Sequence, residues 1–196
     1  MAVTPVLQEG HSALVKALSF TPDEKVLASA SWDWSVRIWE WPTGRLLRTF
    51  AGRGKQAESV VFQPHSSLVA SADEKGVYVW DPHTGNVTKT LSLENVKEIA
   101  FSPGGDAMAI ATLQGSYLWR LEGPGDPIQL SNDDARAIAV SPNGRLAASG
   151  NANSTVHVFD LETLKIRRTI PADEAWVCQS LFCRTGSGSP PEASMG

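Results

Sequence analysis

The sequence predicts an all-β protein built from four copies of one unit of about 40 residues. A proline that follows an apolar and a polar residue recurs at intervals of 42, 39 and 39 residues. These prolines are Pro22, Pro64, Pro103 and Pro142. An aromatic residue that ends an apolar alternation recurs at intervals of 41, 39 and 40 residues, at Trp39, Trp80, Trp119 and Phe159. The segments that end at Trp39, Trp80 and Phe159 alternate with a period of two and are rich in β-branched and aromatic residues, which favours strands over helices.

Each unit contains four strand-like segments separated by turn residues. The predicted strands of the first unit are Val15–Phe20, Val26–Ser31, Val36–Trp39 and Leu46–Phe50. Pro22 presets the dihedral angle of the first turn, Asp33 marks a polar second turn, and Gly44 tolerates a positive φ in the third. Four short antiparallel strands per roughly 40 residues are typical of a propeller blade. We therefore predict units at about 11–50, 51–91, 92–130 and 131–170.

Composition and charge exclude several classes of function. The net charge is −4 and no run of Lys or Arg occurs, which argues against a nucleic-acid-binding surface and a polybasic membrane patch. No apolar run approaches the roughly 18 residues of a membrane-spanning helix. We expect a soluble intracellular protein, in the cytoplasm or the nucleus, that binds neither membrane nor nucleic acid directly.

The sequence contains no catalytic or metal-binding pattern that would support a prediction of enzyme activity. The two cysteines, Cys178 and Cys183, have no second Cys/His pair placed to complete a zinc site. His65 and His83 lie beside prolines in turns, and His157 occupies the alternate face of a strand. No nucleophile elbow, zinc-protease helix motif or phosphate loop occurs. The expectation is therefore a protein without catalytic residues, metal or cofactor.

The phased units resemble the WD-repeat β-propeller family. The resemblance is carried by Gly10-His11, about 29 residues before Trp39-Glu40, together with Trp80-Asp81 and Phe159-Asp160. It covers roughly residues 3–182 and implies a structural hydrogen-bonded tetrad within a blade. In the first unit that tetrad would be His11, Ser29 (or Ser31), Asp33 and Trp39. The position of the turn Asp holds Glu74, Leu113 and Asn153 in the later units, so we expect the full tetrad only in the first blade.

The sequence patterns at the two ends of the chain differ from those expected for a closed ring of blades. Residues 3–7 read as a fourth-strand fragment, and residues 175–182 begin a fifth unit, so the blades are predicted within 1–182 with a partial unit at 171–182. Residues 183–196 are rich in Gly, Ser and Pro, which predicts a disordered tail. Propellers of the family commonly have about seven blades. We therefore expect an incomplete propeller, from a truncated isoform or a fragment of a longer protein, whose open blade edges could permit oligomerisation.

The resemblance implies a binding surface at the loops that enter the first strand and join the second and third strands. Trp32 and Trp34 flank Asp33 on this surface and are candidate contacts for a partner protein or peptide, although either could instead cover a neighbouring blade edge. Asp73, Glu98 and Lys16 occupy similar positions with a weaker signal.

The leading hypothesis is a non-catalytic scaffold or adaptor. The alternative is a regulatory or sensor segment of a larger multidomain nucleotide-hydrolysing enzyme or ribonucleoprotein component.

Overall fold

The structure is a computed structural model that describes residues 10–51, 55–123 and 125–171. Sixteen strands lie in these ranges, and each consecutive group of four forms one antiparallel sheet in chain order. The first two sheets contain β1 Val15–Phe20, β2 Val26–Ser31, β3 Ser35–Glu40, β4 Leu46–Ala51, β5 Ala57–Phe62, β6 Val69–Asp73, β7 Gly76–Trp80 and β8 Val87–Ser92. The other two contain β9 Val96–Phe101, β10 Ala107–Thr112, β11 Gly115–Arg120, β12 Ile128–Ser131, β13 Ala135–Val140, β14 Leu146–Asn151, β15 Thr155–Asp160 and β16 Lys165–Pro171. The predicted all-β class with four four-stranded units is confirmed, and the sheets are numbered here as blades 1 to 4.

In blades 1, 3 and 4, the hydroxyl residue before the repeated proline closes the turn between the first two strands. Thr21 Oγ1 accepts a hydrogen bond from Val26 N at 3.1 Å. Ser102 and Ser141 accept the corresponding bonds from the first residues after their turns, each at 3.0 Å. A hydroxyl at this position therefore fixes the turn that Pro initiates.

Successive blades pack face to face, and an apolar core lies at each of the three junctions. The forward face of a blade is defined here as the one that packs on the next blade, and the backward face as the one that packs on the blade before it. At the first junction, Val36 and Ile38 on the forward face of blade 1 share a core with Phe62 and Trp80 on the backward face of blade 2. The first strands of the blades (β1, β5, β9 and β13) are neighbours from one blade to the next and are called the inner strands.

Each inner strand is the edge strand of its sheet, and in blades 2 to 4 a side chain of the preceding blade accepts a hydrogen bond from one of its N–H groups. Ser19 Oγ accepts from Phe62 N at 3.1 Å, and Ser59 Oγ accepts from Ile99 N at 3.3 Å. Glu98 Oε2 accepts from the N–H of Ile138 at 2.8 Å. These three bonds link the four blades in series.

Every inner strand also contains a β-bulge, and the bulged residue is charged in all four blades. The register shifts between each inner strand and its neighbour leave one residue unpaired. These residues are Lys16, Glu58, Lys97 and Arg136. Glu58 and Lys97 form a mostly buried ion pair at 2.9 Å, which joins blades 2 and 3.

The backward face of blade 1 is open among the described residues. Leu18 and Phe20 are 64% and 49% exposed, whereas Val60 and Phe62 at the same positions of blade 2 are 4% and 5% exposed. No packing of β13 on β1 like that between successive inner strands occurs within 10–51, 55–123 and 125–171. The fold described is thus an arc of four blades. The predicted strand at 3–7 and tail at 183–196 lie outside the described residues, as does the partial unit at 171–182 apart from Pro171, which ends β16.

Candidate functional site

The loop between β2 and β3 of blade 1 presents two tryptophans on either side of an aspartate. Ser31 pairs with Ser35, so the hairpin has a three-residue loop made of Trp32, Asp33 and Trp34. Trp34 has φ +69° and donates its N–H to the carbonyl of Ser31 at 3.2 Å. A bulky residue in this left-handed region is uncommon, because the position favours Gly or Asn.

Four hydrogen bonds to the carboxylate of Asp33 fix the position of the loop. His11 Nδ1 lies 2.8 Å from Oδ2, and the backbone N–H of Ser12 donates to the same oxygen at 3.1 Å. Ser35 donates to Oδ1 from both its backbone N–H and its hydroxyl, at 3.0 Å and 2.6 Å. A carboxylate with this many donors can be buried at little cost.

The network continues from His11 to the tryptophan that ends β3. His11 Nε2 lies 2.7 Å from Ser29 Oγ, and Trp39 Nε1 donates to the same Oγ at 2.8 Å. With the imidazole proton on Nδ1, every donor has an acceptor: Trp39 donates to Ser29, Ser29 to His11, and His11 to Asp33. This tautomer is assigned from the network. His11, Ser29, Asp33 and Trp39 are therefore joined in one chain of hydrogen bonds.

The environment of Asp33 favours its ionised form. Burial on its own would raise the pKa of the carboxyl, but the hydrogen bonds from Ser35, His11 and the backbone of Ser12 outweigh this and hold the pKa well below its ordinary value. Arg37 adds a guanidinium 3.6 Å away. The carboxylate of Asp33 is therefore negatively charged at neutral pH.

Trp32 and Trp34 project from this supported loop. Their exposed fractions are 36% and 55%. Asp33 between them is anchored to residues on both sides of the hairpin and to the segment before β1. Two large aromatic side chains are therefore displayed on a backbone whose position is set by hydrogen bonds, which is favourable for binding because little backbone ordering remains to be done.

The other three residues predicted at this surface lie in different settings. Asp73 is buried at the end of β6, where its Oδ1 accepts from the N–H groups of Lys75 and Gly76 at 2.7 Å and 3.1 Å. Glu98 is half-buried and links blade 3 to blade 4 through Ile138. Lys16 is exposed at the bulge of β1. Of these three, Lys16 alone is open to solvent.

Blade 2 contains only part of the blade 1 network, and blade 4 contains a different His–Asp contact. In blade 2, Trp80 Nε1 donates to Ser71 Oγ at 3.1 Å, without a histidine beside the serine among the described residues. In blade 4, the buried His157 lies on β15, with its Nδ1 3.4 Å from Asp133 Oδ2. Sequence analysis missed the part played by Ser35, although a hydroxyl two residues after a turn Asp is a recognisable signal for such a bond.

Within the part of the chain that the structure describes, no cluster of three or more His, Cys, Asp or Glu side chains is arranged to hold a metal ion. No helix in the same ranges is long and apolar enough to cross a membrane.

The fold and the site together define a repeat protein of propeller blades, each built around an inner strand and closed by an aromatic residue. The family model for the WD domain, G-beta repeat, matches residues 4–40, 44–81 and 115–160. These stretches make up more than half of the chain, and the protein belongs to the WD-repeat family.

Similar proteins share single stretches with this chain. Ribosome biogenesis protein BOP1 of Homo sapiens is 39% identical over 83 residues, which are 41% of this chain and 11% of that protein. Nuclear distribution protein nudF of Aspergillus niger is 31% identical over 78 residues, or 38% of this chain and 18% of the relative. A probable cytosolic iron-sulfur protein assembly protein 1 of Malassezia globosa is 30% identical over 90 residues, or 39% and 25%. The chain thus spans a quarter or less of the length of each of these relatives.

Proposed function

We propose that this protein is a non-catalytic intracellular scaffold that binds a partner protein or peptide through the loop Trp32–Trp34. The observation that carries the proposal is the pairing of two exposed tryptophans with a buried, fully bonded aspartate between them. Trp is enriched among the residues that dominate binding energy at interfaces. Membership of a family of interaction modules supports the same function.

The length of the blade 1 loop and the residue at its last position support this proposal. Blade 2 closes its β6–β7 hairpin with two residues, Glu74 and Lys75, and blade 3 closes its own with Leu113 and Gln114. Blades 1 and 4 instead use three residues and place a non-glycine residue in the left-handed region, Ser154 in blade 4 and the much bulkier Trp34 in blade 1. Such local strain persists where the surroundings over-determine the conformation, and it concentrates at functional sites. Lys16, exposed at the bulge of β1, supplies a positive charge on the same blade.

A quantitative affinity capture with the immobilised chain tests this proposal. Trp32→Ala and Trp34→Ala should each reduce recovery of the specific partner at least about tenfold, the loss typical of removing an aromatic anchor. Their melting temperatures should stay near that of the wild type, since both side chains project into solvent. Trp41→Ala is the matched control, because Trp41 is also half exposed but lies in the β3–β4 turn. Equal recovery by all four proteins would reject the proposed surface.

A second candidate function is a segment of a larger ribonucleoprotein or nucleotide-hydrolysing assembly. The name of the relative BOP1, a ribosome biogenesis protein of which this chain covers 11%, favours it. The same capture experiment separates the two candidates when the bound fraction is treated with ribonuclease. Loss of a Trp34-dependent partner after this treatment supports the second candidate, and retention supports a direct protein contact.

A further inference from the structure

We infer that His157 and Asp133 form a proton-dependent contact that holds the loop entering blade 4, residues 132–134, in place. Protonation of the imidazole strengthens this contact, and loss of the proton weakens it. The inference is separate from the partner surface at Trp32 and Trp34, because it concerns only side chains of blade 4 and of the loop before β13.

His157 holds the register position in β15 that Arg37 holds in β3. The guanidinium of Arg37 lies 3.6 Å from Oδ2 of Asp33, and Nδ1 of His157 lies 3.4 Å from Oδ2 of Asp133. Both residues thus face a carboxylate in a loop at the same end of their blade. Arginine keeps its charge at every pH of interest, whereas histidine changes its charge between about pH 5 and about pH 8. Blade 4 therefore contains a titratable counterpart of the permanent contact in blade 1.

The neutral form of His157 leaves a buried nitrogen without a good partner. The side chain is buried, and Nδ1 has no hydrogen bond among the described residues. In the neutral ring, Nδ1 either directs its lone pair at the carboxylate of Asp133 or donates over a distance too long for a good hydrogen bond. In the imidazolium, the same nitrogen is a charged donor that faces a carboxylate. The contact is therefore strong when His157 is protonated, and it weakens as the pH rises and the ring loses its proton.

Asp133 depends on this contact because few other groups hold it. Its side chain is 35% exposed, and Asn153 Nδ2 donates to its Oδ1 at 3.3 Å. The amide of Asn153 is oriented by Thr155, whose hydroxyl donates to Asn153 Oδ1 at 2.6 Å. Asp33 in blade 1, by contrast, accepts four hydrogen bonds. A change in the charge of His157 should therefore change how firmly residues 132–134 are held.

The other charged groups of blade 4 do not face His157. Asp134, in the same loop, is paired with Arg136 of β13 at 2.7 Å. β14 carries no charged residue. The residue opposite His157 on β16 is Thr169, while the charged residues of that strand lie at other register positions; they are Lys165, Arg167 and Arg168.

The charged groups of blade 3, which packs on blade 4, are also engaged elsewhere. Lys97 is paired with Glu58, and Glu98 accepts the N–H of Ile138. Arg120 lies at the far end of β11, where its charge helps to lower the pKa of Asp106. Asp133 is accordingly the carboxylate whose interaction with His157 the structure shows.

One backbone hydrogen bond reports directly on the loop. The N–H of Ala152, in the β14–β15 loop, donates to the carbonyl of Asp134 at 2.8 Å. Blades 1 and 3 contain equivalent bonds, from Trp32 to Leu14 at 3.0 Å and from Leu113 to Asn95 at 3.3 Å. Exchange of these amide protons requires each loop contact to open, so the three amides measure the same event in three blades.

Hydrogen exchange of the full chain, followed by NMR and corrected for intrinsic exchange rates, tests the inference. Protection of the Ala152 amide should rise at least about threefold between about pH 8 and about pH 5.5, as expected for an ion pair that forms on protonation. The amides of Trp32 and Leu113 should show no such rise, because the register position of His157 is Arg37 in blade 1 and Tyr117 in blade 3. The imidazole signals of His157 should change over the same pH range as the protection of Ala152.

Asp133→Asn decides whether this carboxylate is the partner, because the side chain is partly exposed and its replacement keeps the size. The variant should lose the pH response of Ala152, and His157→Gln should lose it as well. Asp134→Asn is the matched control in the same loop and should keep the response. An unchanged protection of Ala152 across the pH range in the wild type, an equal rise in blades 1 and 3, or a response that persists in Asp133→Asn would overturn the inference.

Discussion

Ser29 in blade 1 and Ser71 in blade 2 occupy the same register position, and each accepts an indole N–H from the tryptophan that ends the third strand, at 2.8 Å and 3.1 Å. They differ in that Ser29 also lies 2.7 Å from His11 Nε2. The same serine position therefore serves a two-membered network in blade 2 and a four-membered one in blade 1.

The serine pair gives the first prediction. Ser29→Ala should reduce the free energy of unfolding by about 2 kcal/mol, because it leaves both the indole N–H and the imidazole nitrogen without their partner. Ser71→Ala should cost only about 1 kcal/mol, since one donor loses its acceptor. Urea denaturation of both variants measures the difference. Equal losses would mean that His11 contributes nothing to the network.

Asp33→Asn should destabilise the protein in a pH-dependent way. Because the folded state lowers the pKa of this carboxyl, its contribution is present above the ordinary value of about 3.9 and is lost as the pH falls through the lower folded value. We expect a loss of about 2 kcal/mol at neutral pH that shrinks in acid. Urea denaturation from neutral pH to the lowest pH at which the wild type folds measures this.

The control for Asp33 is Glu24→Gln, which removes an exposed carboxylate from the same blade. It should change the free energy of unfolding by no more than about 0.5 kcal/mol at neutral pH. A pH-independent difference between Asp33→Asn and the wild type would contradict a stabilising ionised carboxylate.

Arg48 and Arg45 give a third prediction because they lie on the same hairpin and form different contacts. Arg48→Ala should cost about 2 kcal/mol, since two backbone carbonyls of the next blade lose a charged donor and Gly85 loses its cover. Arg45 pairs with Glu40 at the surface, at 2.9 Å. Its hydrogen bonds lower the pKa of Glu40 to about 2. Surface pairs contribute little, so Arg45→Ala should lower the melting temperature much less than Arg48→Ala does. Thermal unfolding of the two variants side by side decides whether blade-to-blade contacts outweigh contacts within a hairpin.

Gly115 gives a fourth prediction, at the start of β11. Its φ is +148°, and a Cβ there would lie 2.1 Å from the carbonyl oxygen of Ser131 on the neighbouring strand. Gly115→Ala should therefore displace β12 and cost about 3 kcal/mol or more. Gly125→Ala, with open space around the added methyl, should leave stability nearly unchanged. Thermal melts followed by circular dichroism compare the two variants. A small decrease in the melting temperature of Gly115→Ala would show that β12 can shift with little loss of stability.

The repeat was readable from sequence because its signals are local. The proline, the polar residue before it and the strand-ending aromatic each act within one turn or one strand, so Pro22, Thr21 and Trp39 predict their own surroundings. The strand bounds of β1 and β2 agree with prediction for the same reason.

What the sequence did not reveal depends on neighbours in adjacent blades. Asp73 and Glu98 are both acidic residues near the predicted binding surface, yet one is bonded to its own turn and the other to the next blade. In the sequence, Arg48 looks like any other charged residue of an outer strand. Its role becomes visible only in the structure, where two carbonyls of blade 2 accept its hydrogen bonds. Spacing along the chain cannot distinguish these residues, because whether each one contacts the next blade depends on how the two blades pack.

The bonds from Ser19, Ser59 and Glu98 to the next inner strand also make each junction observable on its own. Phe62, Ile99 and Ile138 donate their amide protons to a side chain of the preceding blade, and none of the three bonds belongs to a strand ladder within one sheet. Hydrogen exchange at these amides therefore reports when neighbouring blades separate, even while the blades themselves stay folded. If the chain opens from one end, as nearest-neighbour coupling between repeats allows, the three amides will lose protection one after another, and their order will give the direction in which the arc comes apart.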